Sequence, residues 1–161
     1  MTKLTVKLED VMEAIELQTM ESNYFYSKKD GNVYFITDDE LRSAEGDYDI
    51  EDFPEWQQKN IKLAEDILST MDYIRLPDRL DIDDYKIMEA FCLSIEDKEL
   101  RDLMYNCIKG SGAFRRFKNN IHKYGIADDW YDFQEEIYIE IAKDWCKEHN
   151  IEYIEGEYNN D

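Results

Sequence analysis

The sequence predicts an α+β fold, mostly helical, in which a small antiparallel sheet (a hairpin over about 23–37 plus short strands) packs with about six helices. Three observations carry that expectation. Tyr24, Phe25 and Tyr26, then Val33, Tyr34, Phe35 and Ile36, are β-favouring runs on either side of Asp30 and Gly31, the pattern of a hairpin. Tyr73, Ile74, Arg75 and Leu76 form another short run, closed by Pro77, which cannot extend a ladder. Elsewhere apolar residues recur at helical spacing, most regularly Leu100, Leu103, Met104, Cys107 and Ile108.

The elements follow in order. Leu8, Val11, Met12 and Ile15 mark a helix over about 6–18. In the hairpin, Asp30 and Gly31 are the pair a type I′ turn favours, because both of its central residues need positive φ. A short helix over 38–44 carries acids in its first turn, and 46–52 reads as an acidic loop. Pro54 opens a helix to about 69 with Trp56, Leu63 and Ile67 on one face. Helices over about 82–94 and 97–109 come after the third strand, the second of them stopped by Gly110. The next helix spans about 113–123, with Tyr124 and Gly125 as its stop. The last, about 129–149, carries Trp130, Phe133, Ile137, Ile141 and Trp145 as its stripe, and Asn150 is placed to end it. An edge strand at about 151–154 and a flexible C-terminal tail at 156–161 complete a single α+β domain over 1–155.

Charge is the unusual property: 39 acids against 19 bases give a net charge of −20. The 12 Tyr, 7 Phe and 3 Trp argue that the chain nonetheless folds around a core. Such an acidic field repels nucleic acid and anionic membrane at long range, so phosphate binding would have to rely on a local basic patch; the partner stays unknown, a protein being one candidate and nucleic acid or membrane not expected. Cys92, Cys107 and Cys146 are odd in number and widely spaced among apolar residues, as reduced core thiols are. The opening TKLTVKLED has no apolar signal region, and no run approaches a membrane span, so a cytoplasmic protein is expected.

One stretch breaks the acidic pattern. No Asp or Glu lies between Met104 and Ala127, a window that holds Lys109, Arg115, Arg116, Lys118 and Lys123. Gly110, Ser111 and Gly112 directly before a helix suit an anion site at a helix N-terminus, with Arg115 or Arg116 completing the cradle. The spacing is not that of a P-loop, which needs Lys and Ser/Thr after its final Gly. The structural alternative is a tight helix-to-helix turn whose arginines pair with the protein's own acids. Phe114 and Phe117 among the bases also resemble a nucleic-acid face, yet with Ile121 and Tyr124 they fall on one helical stripe. Burial of that stripe would leave the arginines without stacking platforms. Trp130 and Tyr131 complete the candidate binding set of Gly110, Ser111, Gly112, Arg115, Arg116, Lys118, Trp130 and Tyr131.

Catalytic and metal chemistry find little support. The acid pairs Asp38 and Asp39, Asp83 and Asp84, and Asp128 and Asp129 each sit where a helix begins, a capping position. Neither acidic loop follows EF-hand spacing. Cys146 and His149 lack the second ligand pair that a zinc site needs, and His122 with Cys107 lacks an orienting group. No catalytic residue, metal ligand or cofactor is assigned, and the reading leans away from an enzyme.

With these residues in view, the chain resembles uncharacterised protein family 0158 (UPF0158), small bacterial proteins of unassigned activity. GSGAFRRFK, the following WYDF, the ending AKDWCKEHNIEYI and the aromatic hairpin around Asp30 and Gly31 carry the resemblance over nearly the whole chain. Asn150 stands where that turn is associated with Gly; Asn is the next-best left-handed cap. The resemblance implies a bacterial cytoplasmic origin and transfers no catalytic residue. The leading expectation is a non-enzymatic binding or regulatory module with a basic helix on an acidic protein. The alternatives are a phosphate-ester or nucleotide binding protein or enzyme using the Gly110 to Gly112 loop, and an acidic nucleic-acid mimic.

Overall fold

The computed structural model describes residues 3–78 and 81–155; the expected tail at 156–161 lies outside the described residues. In chain order come strand β1 (Thr5–Lys7), helix α1 (Leu8–Glu16), strands β2 (Ser22–Ser27) and β3 (Val33–Thr37), helix α2 (Asp38–Glu45), a 3-10 turn (Ile50–Asp52), helix α3 (Glu55–Ser69) and strand β4 (Tyr73–Arg75). Helices α4 (Asp84–Ser94), α5 (Lys98–Cys107), α6 (Ala113–Lys123) and α7 (Ala127–Glu148) follow, and strand β5 (Glu152–Ile154) ends the described chain. The fold is α+β and mostly helical, as the periodicity predicts. The chain forms two compact units: residues up to Asp81 together with those from Ile141 onward, and Ile82–Glu140.

Helix starts follow from capping chemistry. Glu40 N donates to Thr37 Oγ1 (3.2 Å) while Thr37 N donates to Glu40 Oε1 (3.0 Å), a capping box at the head of α2. Asp83 and Asp97 cap α4 and α5, accepting from Lys86 N (3.1 Å) and Leu100 N (3.2 Å). The acid pairs singled out in the sequence therefore occupy caps and first turns.

In the first unit, β2 is the middle strand of an antiparallel sheet of order β3-β2-β4, and β1 pairs with β5 in parallel. Ile36, Ala64 and Ile67 form a buried cluster flanked by Phe25, Leu41 and Tyr73. Tyr26 is fully buried, donates its hydroxyl to the Thr5 carbonyl (2.7 Å) and meets Trp145 edge-on at 6.1 Å. Three expectations need correction here. Thr5–Lys7 is a strand rather than part of the first helix, because its partner, Glu152–Ile154, lies at the far end of the sequence. The hairpin loop is longer than a type I′ turn: Ser27 N donates to Asn32 O and Gly31 N to Ser27 O, both at 2.9 Å, and within the loop only Gly31 has positive φ. Asp30 instead accepts from Asn32 N (2.9 Å), an Asx turn that closes the loop. Trp56 is 73% exposed: it falls near Ile67 on the helix wheel but lies in the first turn of α3, ahead of the buried stripe of Ile61, Ala64 and Ile67.

Asn150 meets its expectation. Its φ is +57°, and Ile151 N donates to Cys146 O (2.8 Å) while Asn150 N donates to Lys147 O (3.2 Å), a Schellman motif that ends α7.

The second unit is built around Phe91. Its ring meets Phe117 at 6.0 Å, Trp130 at 5.4 Å and Phe133 at 5.5 Å, all edge-on, within a core that includes Met88, Cys92, Met104 and Ile108. From α6 the core takes Ala113, Phe117 and Ile121. The stripe expected from Phe114 is thereby corrected. The small Ala113 lets the helix approach on the face at spacing of four, so Phe114 is 54% exposed and Tyr124 is 38% exposed.

Candidate functional site

A helix leaves its last carbonyls without intrahelical donors, and α5 meets that need through two side chains from elsewhere in its unit. Tyr85 donates its hydroxyl to the Ile108 carbonyl (3.0 Å). Arg116 folds back from the first turn of α6 and donates to three carbonyls at 2.7 Å each: Nε to Cys107, Nη1 to Ser111 and Nη2 to Lys109. A guanidinium also suits this position electrostatically, since the end of a helix carries partial negative charge. Gly110 and Gly112 both sit at φ +81°, and a Cβ on Gly112 would lie 2.9 Å from Arg116 Nη1. The two glycines and the exposed Ser111 thus wrap the turn around the Arg116 head group.

The two neighbouring arginines therefore differ. Arg116 has backbone carbonyls as partners, not the acids the turn reading expected. Arg115 is exposed, as is Lys118, and among the described residues neither makes an ion pair. The other bases of the acid-free stretch lie over their own aromatics, Lys109 at 4.8 Å from the Tyr105 ring and Lys123 at 5.4 Å from that of Tyr124. Phe114 meets Tyr85 edge-on at 6.4 Å and stays half in solvent, one helical turn before Lys118 and next to Arg115.

Of the two aromatics in the candidate set, Trp130 is half-buried against Phe117 at 4.8 Å and belongs to the core, whereas Tyr131 is 50% exposed. The structure thus gathers Phe114, Arg115 and Lys118 on the outer side of α6 and turns Arg116 and Trp130 to structural work. Phe114 is the residue that sequence reasoning removed from the surface. Its signal was present in the Ala113, Phe117, Ile121 spacing, which defines the competing stripe.

The thiols are placed for packing. Burial, with a smaller contribution from Cys107, pushes the Cys92 thiol up to about 12, and burial pushes Cys146 up to about 11. Both are protonated at neutral pH and weak nucleophiles. Among the described residues, no group of three or more His, Cys, Asp or Glu is arranged to hold a metal, and no helix is long and apolar enough to cross a membrane.

Fold and site together define a small, mostly helical α+β protein that carries an exposed basic and aromatic helix face on a strongly acidic chain. The family model described as Uncharacterised protein family (UPF0158) matches residues 1–159, and the chain belongs to that family. No curated protein and no solved structure matches it.

Proposed function

We propose that the protein is a non-enzymatic binding or regulatory module that engages a protein partner through α6, with Phe114, Arg115 and Lys118 at the centre of the face. The observation that supports this reading is that Arg115 and Lys118 are exposed together, beside the half-exposed Phe114 and without an ion pair among the described residues, in a chain where acids outnumber bases 39 to 19. Among the described residues only Lys3, Lys29, Arg42, Arg75 and Lys143 make ion pairs, so what sets Arg115 and Lys118 apart is their place beside the exposed Phe114 in a window from Met104 to Ala127 that holds no Asp or Glu. Phe114 beside them offers apolar area, and an aromatic next to Arg is the composition of an interface hot spot. The partner that fits is a protein surface presenting carboxylates to Arg115 and Lys118 around an apolar pocket for Phe114. Complementary charge would set its encounter rate and its register. Nucleic acid fits less well, because a polyanion must approach through the long-range field of a net charge of −20. Affinity capture from a lysate of the source organism, comparing the wild type with the Arg115→Glu, Lys118→Glu pair, tests the reading. A partner held by the wild type and released by the reversal is expected, and equal capture by both would overturn it.

A further inference from the structure

A second surface, on the first unit and independent of α6, has the chemistry of a peptide site. Strand β3 lies at the edge of its sheet. The register with β2, fixed at its ends by Ser27 N to Asn32 O (2.9 Å) and Asp38 N to Glu21 O (3.1 Å), makes Tyr34 and Ile36 the residues that bond to β2. The backbone N–H and C=O groups of Val33 and Phe35 consequently point away from the sheet, and among the described residues nothing bonds to them. Two clefts of about 480 Å³ each take part of their lining from β3 and share Phe35.

The lining of the clefts is acidic and aromatic. Asp10 and Glu13 lie in the cleft beside Val33, with Tyr24 and Tyr34. Glu21, Asp38, Asp39 and Glu40 lie in the other, with Trp56. Among the described lining residues Arg42 is the one Lys or Arg, and its pair with Asp39 is largely in solvent and readily exchanged. Asp38 is tied to Asn23 and Glu40 to Thr37, whereas among the described residues Glu13 and Glu21 make no hydrogen bond or ion pair through their side chains. Trp56 and Phe35 are 73% and 46% exposed, at positions where a cationic side chain could rest on a ring.

We propose that the β3 edge binds an extended segment of a partner protein that carries Arg or Lys at neighbouring positions. The segment adds a strand to the sheet through the free backbone groups of Val33 and Phe35. Its side chains alternate between the two faces, so successive cations reach the Asp10 and Glu13 cleft and the Glu21 and Asp39 cleft. Main-chain bonds supply affinity, and the carboxylates and Trp56 select for positive charge. Acids at an edge also serve to repel chance strand pairing, a role that requires no ligand. The two roles differ in what a basic peptide does.

The test uses the full chain and a fluorescein-labelled extended peptide in which neighbouring Arg pairs are separated by Val, read by fluorescence anisotropy at physiological salt. Saturable binding is expected, weakened about tenfold by Glu13→Gln with Asp39→Asn and about threefold by Trp56→Ala, the latter as an exposed cation–π contact predicts. A copy of the peptide methylated on alternate backbone nitrogens should lose about tenfold, as it can no longer donate to the edge strand. Circular dichroism of each variant confirms that it is folded. The control is Glu135→Gln with Glu136→Gln on α7, which removes the same charge elsewhere and should leave affinity unchanged. Absence of binding, equal weakening by the control pair, or full binding of the methylated copy would each overturn the proposal, the last two by showing attraction to the overall charge alone.

Discussion

Arg116 and Arg115 are adjacent in sequence and opposite in role, and truncating each in turn separates the roles. Arg116→Ala removes three charge-assisted hydrogen bonds of 2.7 Å and leaves the carbonyls of Cys107, Lys109 and Ser111 to water. The bond to Cys107 is partly sheltered and contributes about 1.5 kcal/mol, while the two in solvent contribute about 0.5–1 kcal/mol each. With a few tenths more from the cation at the end of α5, the cost is about 3 kcal/mol. For a chain of this length that lowers the Tm by roughly 6–12 °C. Arg116→Lys keeps the charge but cannot fork across three carbonyls, so it recovers only about 1 kcal/mol. Arg115→Ala, on the solvent side, stays within about 0.5 kcal/mol of the wild type. Urea unfolding followed by circular dichroism, with thermal melts alongside, measures all three. An Arg116→Ala variant as stable as the wild type, or an Arg115→Ala variant as unstable as Arg116→Ala, would refute the division.

Two further outcomes follow from the same geometry. Gly112→Ala must carry a left-handed φ and also push Arg116 Nη1 from 2.9 Å, whereas Gly110→Ala carries only the φ, with nothing within 4 Å. Denaturant melts should show about 1 kcal/mol lost at Gly110 and about 2 kcal/mol or more at Gly112. In the first unit the hydrogen bond from Tyr73 to Asp66 (2.6 Å) gives opposite effects at the two ends of the pH scale. That bond, and then Lys29, hold Asp66 below its usual value, so its contribution is present above the unfolded carboxylate pKa and fades as the pH falls through the lower folded value. Burial and then Asp66 raise Tyr73 to about 12, so its contribution is complete below the unfolded tyrosine value of about 10 and fades up to about 12. Stability measured against pH for Tyr73→Phe should lose the alkaline fall over that window and part of the acid one; an unchanged profile would show that the pair is not coupled to folding.

What the sequence disclosed and withheld has a common physical pattern. Local chemistry was legible: the Asp caps, the left-handed Asn150 and the hairpin's aromatic strands all depend on neighbours a few residues away, whereas α5 ends at Cys107, before its expected stop at Gly110. β1 was not, because Thr5–Lys7 has no strand partner nearer than Glu152–Ile154. The turn at Asp30 was misjudged because a dipeptide preference was allowed to decide a loop closed by Ser27 and Asn32. On α6, two stripes that share Phe117 and Ile121 are both compatible with the apolar pattern, and the close approach at Ala113 selects the one that leaves Phe114 and Tyr124 exposed. The sequence did hold a clue to which arginine turns inward: Gly112 lies one helical turn before Arg116, and its missing Cβ makes room for the guanidinium. The clefts along β3 were hidden for a different reason. They assemble from α1, β3, α2 and α3, and Trp56 joins them from the first turn of α3, ahead of that helix's buried stripe.

The most direct measurement is parallel affinity capture with three proteins: the wild type, Arg115→Glu with Lys118→Glu, and the charge-conserving Arg115→Lys with Lys118→Arg. All three should melt within a few degrees of one another, since neither position bears on the core. A protein retained by the wild type and the conserving pair, but absent with the reversed pair, is the predicted result. A partner that remains bound when both charges are reversed, or the failure of all three folded proteins to retain anything, would contradict a binding face on α6.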